Sequence, residues 1–416
     1  MADCAKGQVG VQVNFDGWDG VCHAGASIPF PFLVVNNSPG GIRGDLVGVA
    51  RSDNLREPEV LARWEAAVEL GVGGRYRAGF NFVPPRAGFY RLSCTLRVIG
   101  GPTFVEEALV GYKPQLLSTP LTAAADFTGF WQRRIAELAA VAPDYKIVAD
   151  QTLSTDEVDV YAVEMGSLGG MVISGWYSVP KNARRPLAAT LALPGYTGAM
   201  RAVTRRRQTA TLALDPRGHG RSRRGFCADE PEFMFVGLGQ DPRDYVYAGV
   251  SMDCLRGIDF LAARAEVDPD RIGVEGVSQG GGLALITAAL DRRVAFCAAD
   301  IPWLCDWVNY DNTEAWALRE FPLLLQRRPD LSKEGLLRTL SYVDALNFAE
   351  GIKCPVLVGI GLQDSTCPPR TIFDVYNRIG AAKEYRLYPL AGHGLPAGHR
   401  AEKEEWIGAR VGLASL

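Results

Sequence analysis

The stretch RIGVEGVSQGGGLAL, residues 271–285, holds a serine that has a glycine two positions away on each side. Ile272 and Val274 alternate as in a buried strand, and the small residues after Ser278 favour a helix. A serine on such a sharp strand-to-helix turn is held exposed, and its near neighbours must have almost no side chain. We therefore predict that Ser278 is a nucleophile that attacks a carbonyl carbon. The alternative is an ordinary serine in a glycine-rich turn.

A serine hydroxyl needs a base, and the base needs a group that orients it. Two histidines follow Ser278: His393 in YPLAGHG, after a strand-like segment, and His399 beside a charged helix start. We expect His393 to be the base and His399 to face solvent. Asp364, two residues beyond a very apolar strand, is the predicted acid, because the carboxyl ends of parallel strands face the ligand crevice. An Asx turn before two prolines is the alternative for this aspartate.

Two backbone amides are predicted to bind the negative oxygen that forms during attack. One belongs to Gln279, at the N-terminus of the helix after the serine, and the other to Tyr196 in LALPGYTGA. A simple glycine turn is the alternative for Tyr196. Trp303, after AADIP, either walls the acyl pocket or belongs to the core. His219, in LDPRGHGRS, is expected to support the loop after another strand.

Two regions of different sequence texture must position these residues. Residues 1–113 contain short alternating segments between turns such as NNSPGG and PPRAG, which predicts a β-sandwich. KPQLLSTP has the composition of a linker. From residue 114 to residue 416, apolar strands alternate with helical stretches, which predicts an α/β domain with a mostly parallel, doubly wound sheet. Helical patterns at about 303–349 interrupt this alternation and predict a helical cap inserted between two strands.

The composition excludes several classes of function. The 416 residues include 44 basic and 47 acidic side chains, a net charge of −3, which gives no electrostatic footprint for nucleic acid. No apolar run reaches the ~18 residues that span a bilayer, so no membrane association is expected. Nine cysteines without a CxxC pair argue against a zinc cage or a disulfide framework. The predicted chemistry needs no metal and no organic cofactor.

The N-terminal stretch MADCAKGQVGV lacks the apolar segment of a signal peptide. The compartment is therefore expected to be the cytoplasm, or the protein is exported and its leader has been removed from this sequence.

The motifs together resemble one family of α/β-hydrolases, the acetyl xylan esterases and cephalosporin C deacetylases of carbohydrate esterase family seven. The resemblance spans about residues 114–408, through LPGYTG, DPRGHGRS, GVSQGG, IPWLCDW, GLQDSTCPP and YPLAGHG. By position it implies that Ser278, Asp364 and His393 form the triad. Tyr196 and Gln279 match the positions of the oxyanion hole.

Three further positions are informative in this resemblance. Arg217 matches an arginine that supports the region of the nucleophile in the family. His219 stands where the family has glutamine, and Gly394 stands where a glutamate usually follows the catalytic histidine. These two departures leave the triad intact but bear on substrate preference and on the support of the site.

The resemblance implies a serine esterase that removes small acyl groups, chiefly acetyl, from acylated sugars or xylo-oligosaccharides through an acyl-enzyme. Compact family members form ring-like hexamers, which the extra 113 residues would obstruct, so a homo-oligomer is left open. A prolyl-oligopeptidase-like peptidase is one alternative, although 113 residues are too few for its propeller. A non-catalytic carbohydrate-binding protein on the same fold is another. The first 113 residues could bind glycan, contact a partner subunit or brace the cap.

Overall fold

The computed structural model describes residues 9–224, 226, 232–313, 315 and 320–412. Cys4 and Cys227, two of the nine cysteines, lie outside these residues. The described chain folds into a β-rich N-terminal region and an α/β region with a nine-stranded sheet. Among the described residues, no helix is both long enough and apolar enough to cross a bilayer.

From residue 9 onward, the N-terminal region contains ten strands in three sheets. The strands are β1 (Val9–Val13), β2 (Val21–Cys22), β3 (Ile28–Pro29), β4 (Phe32–Asn36), β5 (Ile42–Ser52), β6 (Val60–Leu70), β7 (Arg75–Arg77), β8 (Asn81–Phe82), β9 (Gly88–Val98) and β10 (Thr103–Tyr112). The sheet orders are β2-β10-β9-β5-β6, β1-β4-β7 and β3-β8. Across the long central pair, Leu46 opposes Leu96 and Ala50 opposes Leu92, and these side chains are buried. Their cross-strand contacts form part of the core.

Nine further strands form the large sheet. They are β11 (Lys146–Ala149), β12 (Val158–Gly166), β13 (Val172–Pro180), β14 (Leu187–Leu193), β15 (Thr209–Asp215), β16 (Val267–Val277), β17 (Val294–Asp300), β18 (Val356–Gly361) and β19 (Lys383–Tyr388). Their order is β11-β12-β13-β15-β14-β16-β17-β18-β19, and all pairs from β15 to β19 are parallel. The predicted mostly parallel sheet is confirmed.

Nine α-helices are present in the described residues. They are α1 (Phe127–Ala139), α2 (Val246–Ala262), α3 (Gln279–Leu290), α4 (Trp307–Asn312), α5 (Phe321–Arg327), α6 (Lys333–Ser341), α7 (Ala345–Phe348), α8 (Pro369–Arg378) and α9 (Ala397–Arg410). Helices α4 to α7 lie between β17 and β18, within the stretch where the sequence predicted an insertion.

Both faces of the parallel sheet are covered, as the unbroken run of apolar residues in β17 requires. Phe296 and Ala298 point to the face where Trp406 of α9 packs, whereas Cys297 and Ala299 point to the opposite face, into the larger core. Because successive side chains of a strand alternate between faces, an apolar residue at every position demands a cover on each side.

The N-terminal region packs directly against the α/β region. The Arg56 guanidinium donates to the Asp311 carboxylate on α4 over 2.6 Å, and the Leu55 amide donates to the Asn312 carbonyl over 2.8 Å. The rings of Phe89 in β9 and Phe373 in α8 lie 5.7 Å apart. The two regions therefore share polar and apolar contacts.

A group of buried carboxyl groups fixes the start of α4. Asp344 accepts the amides of Asp306 and Trp307 at 2.7 and 3.0 Å. Burial, together with the nearby Asp306 charge, raises the pKa of Asp344 to about 7. Burial and the hydrogen bond with Asp306 likewise raise the pKa of Asp374, which lies on α8. These side chains therefore hold protons that they would release in the unfolded chain.

Helix α3 approaches the segment after β17 so closely that it needs glycine. A Cβ on Gly282 would lie 1.8 Å from the Trp303 carbonyl oxygen. No side chain fits there unless the backbone moves.

We predict that Gly282→Ala lowers the free energy of unfolding by more than ~2 kcal/mol, since overpacking against backbone cannot be relieved by a rotamer change. Gly398→Ala, in α9, is the matched control, because a Cβ there meets nothing within 4 Å. Urea unfolding of both variants measures the difference. Equal unfolding midpoints for the two variants would contradict the close packing.

We also predict that Asp344 and Asp374 contribute a loss of stability as the pH rises from about 4 to about 7. Above about pH 4 an unfolded aspartate is mostly ionised, whereas Asp344 and Asp374 are mostly protonated in the fold until the pH approaches 7. The unfolded state therefore binds fewer protons and is favoured as the pH rises, by up to ~1.4 kcal/mol per pH unit for each proton. The slope of the unfolding free energy against pH should therefore be less negative in Asp374→Asn than in the wild type across this range. Parallel pH curves for the variant and the wild type would argue against a protonated Asp374.

Candidate active site

Ser278 lies on a sharp turn between β16 and α3 and has a backbone conformation that is rare for a residue with a side chain. Its φ is 58° and its ψ is −118°. The Ser278 amide donates to the Asp300 carbonyl, and its own carbonyl accepts the Trp303 amide, both over 2.9 Å. These bonds to the end of β17 hold a conformation that the residue would otherwise leave.

The two glycines of the GVSQG motif allow this turn to close. A Cβ on Gly276 would lie 2.2 Å from the carbonyl carbon of Gly280, and a Cβ on Gly280 would lie 2.4 Å from the Leu193 carbonyl oxygen. The glycines therefore let β16, α3 and the end of β14 approach one another around the serine. The sequence analysis predicted that the neighbours of Ser278 must lack side chains, and the structure shows which backbone atoms would be in the way.

Ser278, His393 and Asp364 form a continuous chain of hydrogen bonds. His393 Nε2 lies 3.1 Å from Ser278 Oγ, and His393 Nδ1 lies 2.8 Å from Asp364 Oδ2. The second Asp364 oxygen accepts the amides of Thr366 and Cys367, each over 2.8 Å. Asp364 is buried, whereas the His393 side chain is 33% exposed. Such a chain can take a proton from the serine and return it to a leaving group.

The three side chains meet because their strands are parallel and their carboxyl ends share one edge of the sheet. Ser278 follows β16, Asp364 follows β18, and His393 lies in the loop between β19 and α9. β18 and β19 are neighbours, which explains why residues 29 positions apart are hydrogen-bonded. The predicted placement at strand ends thus brings the three together.

Tyr196 and Gln279 lie at the same edge of the sheet. β14 pairs with β16, with Leu193 opposite Gly276, so the loop that carries Tyr196 runs beside the serine turn. Gln279 is the first residue of α3, and the first four amides of a helix have no acceptor within it. Both residues therefore lie beside the Ser278 turn.

The Gln279 side chain belongs to a buried relay. Its oxygen accepts from Tyr247 Oη over 2.6 Å, and its Nε2 lies 2.8 Å from His219 Nε2. The other ring nitrogen of His219 lies 3.0 Å from the Arg217 carbonyl oxygen. Burial lowers the pKa of His219, so its ring is neutral, donates to Arg217 and accepts from Gln279.

Arg217, whose carbonyl contacts His219, is itself held in place by Asp253. Its Nε and Nη2 donate to the two carboxylate oxygens of Asp253, each over 2.8 Å, and its amide donates to Asp253 over 2.9 Å. Asp253 is fully buried on α2 and also accepts the Ser167 hydroxyl. The fork fixes the loop that carries His219, because a bidentate pair sets orientation as well as distance.

Trp303 packs directly behind the serine turn. It is 2% exposed, and its ring meets Tyr196 edge-on at 5.7 Å and Trp307 at 5.5 Å between centroids. Its amide binds the Ser278 carbonyl. Trp303 thus joins the Tyr196 loop, the nucleophile turn and α4 in one aromatic cluster.

The expectation that His399 faces solvent is wrong. His399 is 3% exposed, with its Nε2 2.6 Å from Asp300 Oδ1 and its Nδ1 3.0 Å from the Tyr388 hydroxyl. Lys403, one turn further along α9, donates to the other Asp300 oxygen over 2.6 Å. The signal was the spacing of His399, Lys403 and Trp406, which places these residues on one face of the helix.

Charged side chains continue this buried network beneath the strand ends. Arg206 lies 2.7 Å from Glu275 on β16, and Lys403 lies 3.6 Å from the other Glu275 oxygen. Burial opposes the charge of Glu275, but the two cations outweigh it and lower the pKa of Glu275 to about 2. Nothing in the sequence indicated that these residues meet.

One group of donor atoms in the described residues has spacing compatible with a metal ion: Asp364, Cys367 and His393, within 4.8 Å of one another. Burial raises the pKa of the Cys367 thiol well above its usual range, and metal binding requires the thiolate. His393 Nδ1 and Asp364 Oδ2 are hydrogen-bonded to each other. The arrangement therefore fits proton transfer better than metal binding.

Comparison with known proteins relates this site to a family. The family model for acetyl xylan esterase (AXE1) matches residues 108–409. The acetyl esterase Axe7A of Xylanibacter ruminicola is 29% identical over 316 residues, which cover 73% of this chain and 71% of that protein. The family model does not extend over residues 1–107, which hold most of the β-rich N-terminal region.

Two solved structures are similar to the chain over the same extent. The acetyl xylan esterase from Paenibacillus sp. R4 is 33% identical, has a TM-score of 0.67, and covers 71% of this chain and 98% of its own. Acetyl xylan esterase 1 from Thermoanaerobacterium sp. JW/SL YS485 is 26% identical, also with a TM-score of 0.67, and covers 72% and 98%. The predicted resemblance is confirmed: the chain belongs to the acetyl xylan esterase family of α/β-hydrolases and is a carboxylic ester hydrolase.

Proposed function

We propose that the protein is a serine esterase that removes acetyl groups from acetylated carbohydrates such as xylo-oligosaccharides. The observation that carries the proposal is the hydrogen-bonded chain from Ser278 Oγ through His393 to Asp364. The names of the relatives support the acetyl group, and two of them support xylan as the source of the substrate. The family match does not favour a peptidase or a non-catalytic carbohydrate-binding protein.

The reaction proceeds in two halves. Ser278 Oγ forms a bond to the ester carbonyl carbon while its proton passes to His393 Nε2, and the carbonyl electrons move onto the oxygen. When the carbonyl re-forms, the bond to the sugar oxygen breaks and that oxygen takes the proton from His393. Water then attacks the acetyl-serine and gives one proton to His393, and acetic acid leaves as that proton returns to Ser278 Oγ. The acid then ionises to acetate in solution.

The amides of Gln279 and Tyr196 stabilise the negative oxygen of each tetrahedral intermediate. Gln279 opens α3, so the positive end of the helix dipole adds to its hydrogen bond. The buried relay through His219 fixes the Gln279 side chain and hence the first turn of the helix. Trp303 supports the Tyr196 loop from behind and contributes to the wall of the acyl pocket.

The chain divides in this proposal into an accessory β-sandwich over residues 1–113 and a catalytic domain over residues 114–416, with a helical cap at about 303–349. The start of the family match at residue 108 supports a boundary close to this point. Separate β-sheets before Lys113 and a nine-stranded sheet after it support it as well.

We predict that Ser278→Ala abolishes acetate release from acetylated xylo-oligosaccharides and from 4-nitrophenyl acetate, with a fall in kcat of about 10⁴-fold or more, because no other group can form the acyl-enzyme. A fluorophosphonate probe should label the wild type and not the variant. The wild type should spare 4-nitrophenyl octanoate. Acetate release by the variant at the wild-type rate would refute the proposed nucleophile. Cleavage of the nitrophenyl ester alone would refute the carbohydrate substrate.

Asp364→Asn should lower kcat by about 10⁴-fold, since the amide favours the wrong His393 tautomer and removes the negative charge beside the ring. The matched control is Asp374→Asn, ten residues further along the chain. Asp374 is also buried, but burial and Asp306 raise its pKa, so its neutral isostere should keep kcat within about twofold. Initial rates with 4-nitrophenyl acetate compare the two. A similar loss in both variants would show that burial of a carboxyl group, and not its bond to His393, governs activity.

A further inference from the structure

The side chain of Gln363, the residue immediately before Asp364, binds the backbone of the N-terminal region. The Leu109 amide in β10 donates to Gln363 Oε1 over 2.8 Å, and Gln363 Nε2 donates to the Leu109 carbonyl over 3.1 Å. The glutamine amide therefore makes the paired bonds that a neighbouring strand would make. β2, the strand on this side of β10, pairs only at Gly111 and Tyr112.

The same side chain also binds the loop that carries His393. Gln363 Nε2 donates to the Pro389 carbonyl over 2.8 Å, and the Gln363 backbone amide donates to the Ala391 carbonyl over 2.9 Å. Pro389 and Ala391 lie four and two residues before His393. One residue thus joins β10, the acid loop and the histidine loop.

The amide group suits this position because it has one acceptor oxygen and two N–H donors. At Gln363 the oxygen serves Leu109 N, and Nε2 serves the carbonyls of Leu109 and Pro389. Neither a carboxylate nor an apolar side chain of the same length can make all three bonds. Loss of the side chain would leave three backbone groups without these partners, each at a cost of ~1–3 kcal/mol where water cannot replace them.

The packing around Gln363 leaves little room for movement. Leu362 donates its amide to the Tyr388 carbonyl over 3.0 Å, which ties the acid loop to the end of β19. A Cβ on Gly20 would lie 2.3 Å from Leu362 Cδ2, so the N-terminal region presses directly on this loop. The hydrogen bonds of Gln363 therefore act on a segment that is already closely packed.

We propose that Gln363 is a positioning residue for the triad and that β10 of the N-terminal region forms part of the catalytic framework. The bonds from Gln363 fix the separation of the Asp364 loop and the His393 loop, on which the 2.8 Å contact between these two side chains depends. The inference rests on the proposed function, because it takes Asp364 and His393 as the acid and base of the reaction. It assigns to the N-terminal region a role in the chemical step.

The test compares Gln363→Met, which keeps the length of the side chain and removes the three bonds, with Asn377→Leu. Asn377 is the matched control, because its Nδ2 also donates to two backbone carbonyls, those of Pro114 and Leu117, but far along α8 from the triad. We expect kcat for 4-nitrophenyl acetate to fall about 10-fold in Gln363→Met with KM little changed, since small misplacements of reacting groups cost rate more than binding. Asn377→Leu should retain the wild-type kcat.

The rate of fluorophosphonate labelling of Ser278 gives a second readout, because it depends on His393 acting on the serine and not on carbohydrate binding. It should fall in Gln363→Met in parallel with kcat, at a temperature where both variants are folded. Gln363→Glu keeps the bond to Leu109 N and loses the two N–H donors. It replaces Gln363→Met in the test if the methionine variant does not fold, and it should also lower kcat.

An unchanged kcat and labelling rate in the folded Gln363 variant would overturn the inference, and so would an equal loss in Asn377→Leu. A different result would refute the proposed function, namely acetate release by Ser278→Ala at the wild-type rate. A folded Gln363→Met with full activity beside an inactive Ser278→Ala would leave the esterase mechanism standing and remove β10 from it.

Discussion

The backbone of Ser278 is the constraint on which the rest of the site depends. Its φ of 58° is unfavourable for a residue with a Cβ, and such strain persists only where the surroundings enforce it. Bonds to Asp300 and Trp303 enforce it from β17, and the glycines at 276 and 280 allow β14 and α3 to close around it. The order of the central strands follows from the same requirement, because β14 and β17 must flank β16 for these contacts to form.

A buried ionic network supports this turn from beneath. Asp300 accepts the Ser278 amide through its carbonyl and binds His399 and Lys403 of α9 through its carboxylate. His399 in turn binds Tyr388 at the end of β19, so the loop that contains His393 is tied at both ends. Charges buried in this way require partners, and the pairing with Glu275 and Arg206 supplies them. The last helix and the nucleophile turn are therefore held by one set of contacts.

The sequence predicted the α/β sheet and the family because their signals are local. Runs such as PLAATLALPG indicate a strand buried on both faces, and the glycines of GVSQGG indicate the sharp turn at the serine. His399 was assigned wrongly because the charges around it masked the helical spacing that places it inside. Gln363 carried no signal at all, since its partner Leu109 is 254 residues away and contributes only backbone atoms. Contacts of that kind leave no trace in residue type and become visible only in the fold.

The point at which the family match begins has a practical consequence. Residue 108 falls inside β10, which pairs with β9 along its whole length, and it directly precedes Leu109, the residue that Gln363 binds. A protein shortened to the matched region would keep five residues of this strand and lose β9, their neighbour in the sheet. An unpaired strand edge of this kind invites association between copies. The limit of sequence similarity is therefore a poor place to cut the polypeptide, and an expression boundary is better set ahead of the whole β-rich region.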